Sequence, residues 1–270
     1  VTELGECGAN FEEGITAPLF SIIIPVHNEE EQIEQCIHSA FCGFFPKEPK
    51  KPALANRQDA LLRSEVEFIV VDANSRDRTP KIVDALVKDC ASIGTLIKHV
   101  RSPQGGRAHQ MNYGASFASG QVLVFLHADT RIEHDFAIEL KRFTHQNRVW
   151  GFCRVRFDSL GWEYKMLSFM INLRSRLFGI STGDQTQFVQ SKEFHRVGGF
   201  PAQPLMEDIE LSKSLKARSK PFLLNAFVKT SSRKWRTEGF WRTVVLMWKL
   251  RFSYWRGATA ESIHRRYYRP

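Results

Sequence analysis

The sequence predicts an α/β fold with a mostly parallel sheet, and three observations carry that expectation. Apolar runs at residues 20–25 (FSIIIP), 67–71 (EFIVV) and 122–126 (VLVFL) are short and nearly continuous, as strands buried on both faces are. Helix-patterned stretches separate them, and strand–helix alternation implies parallel pairing through right-handed crossovers. Each run ends in a polar cluster: His27-Asn28-Glu29-Glu30, Asp72-Ala73-Asn74-Ser75 and His127-Ala128-Asp129. The carboxyl ends of strands are where open α/β sheets place their ligands.

Taken in order, residues 1–17 have no periodicity and read as a loose lead-in. After the first strand a helix runs to about Cys42. No glycine fingerprint stands between the two, which argues against a dinucleotide-binding fold. Residues 44–64, with three prolines and five Lys/Arg, read as a surface insertion. The second strand is followed by a helix over 79–87 and a weaker strand over 95–100. Residues 101–116 (RSPQGGRAHQMNYGAS) read as a glycine loop opening a helix at Arg107. Such a loop brings backbone N–H groups and an arginine to a phosphate, or is an ordinary turn before a helix.

Beyond the third apolar run the pattern changes. Residues 149–158 alternate bulky and polar side chains, as an antiparallel edge strand or hairpin would. An amphipathic helix is expected over 162–178, a polar turn over 181–185 (STGDQ) and a short strand over 186–190. A breaker cluster at 198–201 precedes a helix at 206–218 that opens with acids and closes with cations, matching the helix dipole. A last strand is expected over 222–228.

At 270 residues and 43% apolar composition the chain can build a real core. Its five cysteines are scattered and form no CxxC, which disfavours a disulfide framework or zinc site and points to a reducing compartment. No signal peptide and no run of 18 apolar residues is present in the sequence as given. The net charge of +9 is uneven: residues 212–270 carry +13 and the preceding 211 residues −4. That asymmetry points to an anionic surface, lipid headgroup or nucleic acid, met by the tail. Within the tail Trp241, Val244, Val245, Trp248, Phe252 and Trp255 recur at helical spacing, interleaved with Arg242, Lys249, Arg251 and Arg256. The pattern fits a helix lying among headgroups. It fits equally a helix packed on the domain with snorkelling cations.

For single residues, plain readings stand beside chemical ones. Asp129 at a strand end is a hard oxygen donor for Mg²⁺ or Mn²⁺, or simply starts a turn. Glu207 and Asp208 are acids at a helix start, a use worth about 0.3–1 kcal/mol. His109, His195 and His264 lack metal-ligand spacing.

Four segments in order change the balance: PVHNEE (25–30), VVDANSRD (70–77), HAD (127–129) and GGF…MEDIEL (198–211). Together they resemble family-2 glycosyltransferases of the GT-A fold over residues 20–235, nearest the small bacterial members with GDQ (183–185) and GRAHQMN-type (106–112) segments. The resemblance implies a nucleotide site from Pro25, His27, Asn28, Glu29 and Asp72. It places Arg107 at the diphosphate, with Gln110 and Asn112 beside it. Asp129 corresponds to the last Asp of the family's metal motif. His127 replaces the first, and ligates Mn²⁺, contacts sugar or ribose, or packs at the strand end. Asp208 corresponds to the catalytic base, with Glu207 next to it. Asp184, Gln185, Arg233 and Trp235 fall in donor or acceptor loops.

The resemblance implies an inverting transfer, dependent on Mn²⁺ or Mg²⁺, from a nucleotide-sugar donor to a hydroxyl acceptor. UDP is the commonest nucleotide of the family, and GDP is the alternative. The basic tail adds a peripheral site on an anionic membrane, at its cytoplasmic face, and lipid-linked acceptors as one class. The expected organisation is a lead-in over 1–17, a GT-A domain over 18–236 and a Trp-rich helical appendage over 237–270. The His127 replacement also leaves a catalytically degenerate nucleotide-sugar binder as an alternative. A nucleotidyltransferase would want a glycine-rich basic loop after the first strand, and a nucleic-acid binder would not need this buried-strand core. Oligomeric state and acceptor identity are not encoded in these motifs.

Overall fold

The computed structural model describes residues 17–45, 63–91, 95–133 and 136–268. The lead-in and the insertion expected at 1–17 and 44–64 fall almost wholly outside the described residues. One parallel block comes first: β1 (Phe20–Val26), β2 (Val66–Asp72), β3 (Leu96–Arg101) and β4 (Val122–Phe125). Helices α1 (Ile33–Phe44), α2 (Thr79–Ala91) and α3 (Arg107–Ser116) make the crossovers. β1 pairs in parallel with both β2 and β4, and β2 with β3.

The period-2 geometry of a strand explains why these runs are apolar throughout. Ile22 and Ile24 of β1, Phe68 and Val70 of β2, and Val122 and Val124 of β4 join one core with α1 and α2. Their neighbours Ile23, Ile69, Val71, Leu123 and Phe125 join a second core on the opposite face. On α1 the buried residues Ile33, Cys36, Ile37, Ala40 and Phe44 follow helical spacing onto the first core. The register sets Val26 opposite Asp72 and Asp72 opposite Arg101, so the polar strand ends line one edge.

The second half completes an eight-stranded sheet in the order β3-β2-β1-β4-β7-β6-β8-β5 among the described residues. Its elements are β5 (Thr130–Ile132), α4 (Phe136–Thr144), β6 (Trp150–Phe157), α5 (Trp162–Phe178), β7 (Gln187–Gln190), α6 (Ser191–Arg196), α7 (Glu207–Lys216) and β8 (Phe222–Thr230). Three helices close the chain: α8 (Arg233–Glu238), α9 (Phe240–Trp255) and α10 (Ala260–Tyr267). β5, α4, α6, α8 and α10 carry no pattern strong enough to be expected from the sequence. The edge strand or hairpin expected at 149–158 is corrected: β6 is interior, antiparallel to β7 and parallel to β8. Arg154 is half-buried and Arg156 exposed, with their guanidinium groups 4.2 and 3.4 Å from the ring centroid of Phe227 on β8.

β6 crosses its neighbours closely at Gly151, where a Cβ would collide with the Phe222 carbonyl and the Phe188 ring. Backbone and a core ring cannot both yield. Gly151→Ala is therefore expected to lower stability by about 3 kcal/mol, the upper end for overpacking, read as a lower urea midpoint at unchanged slope.

Candidate active site

The loops after β1 and β2 are tied together before any ligand arrives. Asn28, in the left-handed region at φ 55°, donates its N–H to Ser75 Oγ (2.9 Å) and accepts the Arg76 N–H on Oδ1 (2.8 Å). Asp72 is buried and accepts hydrogen bonds from the Ser75 N–H and hydroxyl. His27 sets Nδ1 2.9 Å from the Ala73 carbonyl. This lattice leaves Pro25, His27, Glu29 and Ala73 as one wall of a cleft of about 750 Å³. Asn28 and Asp72 stand behind that wall.

The opposite wall begins with the glycine loop and α3. Gly106, at φ 110°, precedes Arg107, whose side chain lines the cleft. Arg107 is exposed; partial desolvation works against its charge, but the carboxylates of Glu207 and Asp184 outweigh it and raise its pKa. Gln110 lines the cleft too, with its amide committed: Nε2 donates to the Val26 and Val71 carbonyls, each at 2.8 Å, closing the ends of β1 and β2. Asn112 is spent elsewhere, donating to the Phe200 carbonyl (2.8 Å) and accepting its N–H (2.9 Å). Of the three polar side chains expected near a diphosphate, Arg107 alone is uncommitted to backbone.

The strand-end segment after β4 forms the floor. His127 is 8% exposed, and burial followed by the charge of Arg107 pushes its pKa down to about 3, so the imidazole is neutral at physiological pH. Its ring lies against Gly183, where a Cβ would overlap it. His127 also lines the cleft. Asp129 and Asp184 face the same cleft; burial, then the charge of Asp184, raise the Asp129 pKa. Gln185 is fully buried, accepting from Ser175 Oγ (2.7 Å) and donating to the Cys153 carbonyl (3.3 Å), so it shapes the turn that presents Asp184.

The acidic pair closes the far side. Met206, in the left-handed region at φ 66°, turns the chain into α7. Glu207 is 4% exposed, and burial followed by the charge of Asp208 pushes its pKa up to about 7. Asp208 accepts the Gly183 N–H on Oδ2 (2.7 Å) and the Ile209 N–H on Oδ1 (2.8 Å). Glu207 lines both the large cleft and a chamber of about 140 Å³ beside it, whereas Asp208 lines only the chamber. Arg233 reaches back to Glu29 (3.5 Å) and Glu31 (3.1 Å), tying α8 to the first loop. Trp235 packs against Phe157 (5.7 Å between centroids) and lines the chamber.

Sequence reasoning missed three contributors. His264 and Tyr268, at the end of the tail, line the large cleft, and Lys234 lines the chamber. The usable signal was backbone rather than side chain. The non-glycine residues with positive φ among the described ones, Asn28, Asn74, Thr186 and Met206, all lie in segments bordering this cleft. Such strain gathers at functional sites.

A raised carboxyl pKa has a sign for stability. Between the ordinary 4.5 and about 7 the folded state holds a proton on Glu207 that the unfolded state has released. Stability therefore falls as pH rises through that window. Glu207→Gln is expected to gain stability relative to the native chain by roughly 2–3 kcal/mol at pH 8 compared with pH 5. A difference in melting temperature that does not vary with pH would remove the carboxyl from that role.

A mostly parallel block of strands whose carboxyl ends open on a cleft of carboxylates and one arginine is an arrangement of the GT-A kind. The profile of Glycosyl transferase family 2 matches residues 21–202, and the chain belongs to that family. The probable glycosyltransferase YdaM of Bacillus subtilis is 25% identical over 208 residues, covering 72% of this chain and 46% of YdaM. The chain thus spans about half the length of that relative. S. aureus TarS 1-349 in complex with UDP-GlcNAc has a TM-score of 0.60 at 17% identity, covering 79% of this chain and 58% of that one. The mannosyltransferase PcManGT of Pyrobaculum calidifontis, in complex with GDP-Man and Mn²⁺, has a TM-score of 0.58 at 18% identity, with 79% and 56% covered. These likenesses show the GT-A fold.

The residues present suit a divalent cation. Among the described residues no group of three or more His, Cys, Asp or Glu is arranged as a cage. A cage is not what Mg²⁺ chemistry asks for, since that ion is held by one or two carboxylates together with substrate phosphates. Asp129 and Asp184 supply two hard oxygen donors whose mutual repulsion a cation would relieve.

Proposed function

We propose that this chain moves a sugar from a nucleoside-diphosphate donor, UDP-sugar by preference, to the hydroxyl of an acceptor, with inversion at the anomeric carbon. The observation that carries this reading is that Asp208 lines the chamber while Glu207, Arg107, Asp129 and Asp184 line both the chamber and the large cleft beside it. The nucleotide would lie along Pro25, His27 and Glu29, with its diphosphate on Arg107. Asp208, on the chamber side, takes the proton of the attacking hydroxyl. Its two N–H bonds fix its orientation and leave lone pairs free on the same oxygens. One displacement with base and leaving group on opposite faces inverts the centre. A divalent cation bound by Asp129 and Asp184 would supply neutralisation of charge on the departing diphosphate. Glu207, partly protonated near neutrality, keeps the charge around Arg107 from becoming excessively negative.

The catalytic unit is taken as residues 18–236, with 237–270 as an appendage that also reaches the cleft through His264 and Tyr268. Among the described residues no helix is long and apolar enough to cross a membrane. The exposed Trp241, Trp248 and Trp255 of α9, beside Arg242 and Arg256, support action at the cytoplasmic face of an anionic membrane on a lipid-linked acceptor.

The direct test is calorimetric titration of UDP and of GDP with Mn²⁺, Mg²⁺ or excess chelator, on the native chain and on Asp129→Asn. Metal-dependent binding of one nucleotide, weakened at least tenfold in the variant, is the expected result. Equal binding in chelator would remove the metal from the reading, and no binding under any condition would overturn it.

A further inference from the structure

A second cavity adjoins the chamber. It is a groove of about 470 Å³ between α5 and α9, walled by Leu167, Met170, Ile171, Val244, Met247 and Phe252. Asp184 and Trp235 line both this groove and the chamber, so the two spaces adjoin. Two cations stand in these apolar walls, Arg174 from α5 and Arg251 from α9, and Arg251 lines the chamber as well.

The cations are short of partners. The Nε atoms of both are buried and have no hydrogen-bond partner among the described residues. Arg174 makes one bond to a neutral group, from a terminal nitrogen to Ser175 Oγ at 3.2 Å. No ion pair to Arg174 or Arg251 is formed among the described residues. Burial, then the charge of Arg251, pull the Arg174 pKa down to about 10, and the more distant Asp208 and Asp184 only partly offset this. Two adjacent guanidinium groups with buried, unsatisfied donors are costly unless an anion joins them. Their planar donor forks match a phosphate, whose several oxygens can serve both at once. The rest of the groove offers hydrocarbon surface, which a free anion does not need. Of the residues lining it, Met170 on α5 and Trp248 and Phe252 on α9 are also exposed to solvent.

We propose that the groove between α5 and α9 is the acceptor subsite for a phosphorylated amphiphile, with Arg174 and Arg251 on its phosphate and the apolar walls around its hydrocarbon chain. This rests on the glycosyltransferase reading and narrows it. The anion is held where Arg251 borders the chamber, which brings the adjoining polar end of the acceptor to Asp208.

The test uses farnesyl phosphate, farnesol and inorganic phosphate, each titrated below its aggregation limit. Binding is read by tryptophan fluorescence, since Trp235 and Trp248 line the groove, and by calorimetry. Farnesyl phosphate is expected to bind saturably and at least tenfold more tightly than either of its parts. Arg251→Gln is expected to raise its Kd at least tenfold with UDP affinity unchanged. Val244→Trp, which narrows the groove and spares both arginines, should do the same. Farnesol binding as tightly would reduce the groove to a greasy face, and inorganic phosphate binding as tightly would make it a free-anion site; either overturns the proposal. So does an unchanged Kd in Arg251→Gln. UDP binding without farnesyl phosphate binding rejects this subsite alone, whereas failure of UDP under every condition rejects the transferase reading beneath it.

Discussion

Arg107→Met should weaken UDP binding ten- to a hundredfold at neutral pH. The charge of Arg107 is held by Glu207 and Asp184, and the group opens on the same cleft as Pro25, His27 and Glu29. A hydrogen bond to a charged group contributes about 1.5–3 kcal/mol, which sets the range. Solvent reaches this side chain, so the cost to folding is smaller than the cost to binding. Arg107→Lys is expected to fall between, because a lysine keeps the charge and loses the fork. Calorimetry with UDP and Mn²⁺ decides the matter. Native affinity in the methionine variant would put the diphosphate elsewhere.

Asp208→Asn is expected to lower sugar transfer by about 10²–10⁴, the usual contribution of a general base, while donor binding stays within twofold. The substitution is mild for the fold. An asparagine oxygen can still accept the Gly183 N–H that Asp208 accepts at 2.7 Å. Loss of donor binding together with transfer would assign Asp208 a purely structural task, holding the turn that presents Asp184. Residual activity in Asp208→Asn that vanishes in Glu207→Gln would instead move the base one residue toward the N-terminus, to the carboxyl whose pKa already lies at about 7.

Much of this was legible in the sequence because strands buried on both faces leave little room for polar residues. That constraint wrote β1, β2 and β4 as nearly continuous apolar runs, broken only by Ser21 and Glu67, which hydrogen-bond each other at 2.6 Å, and their ends as polar clusters. The acids of α7 and the amphipathic α5 were equally plain. β6 misled only as to its place. Its alternation does turn Val155 and Phe157 inward and Arg156 outward, but a pattern along one strand carries no count of its neighbours, and β7 and β8 flank it on both sides. Within the site, residue types were readable and commitments were not. Nothing in the letters separates Arg107, free in the cleft, from Asn112, whose amide is spent on Phe200. Contributions from the tail were hidden for another reason: α10 reaches the cleft by folding back across α9, a long-range contact without local pattern.

The position of β4 has a consequence for how the chain is made. Its upstream partner β1 is synthesised well before it, but its other partner, β7, follows by about 60 residues, with Phe125 waiting for Gln187. At ribosomal rates of 5–20 residues per second, the nascent chain carries β4 bare on that side for on the order of 3–12 s. The exposed edge is Val-Leu-Val-Phe, with no charge, proline or bulge to blunt it. Translation that stalls between these strands thus yields a sticky fragment rather than a smaller working domain, and the nascent chain depends on chaperone cover over that interval.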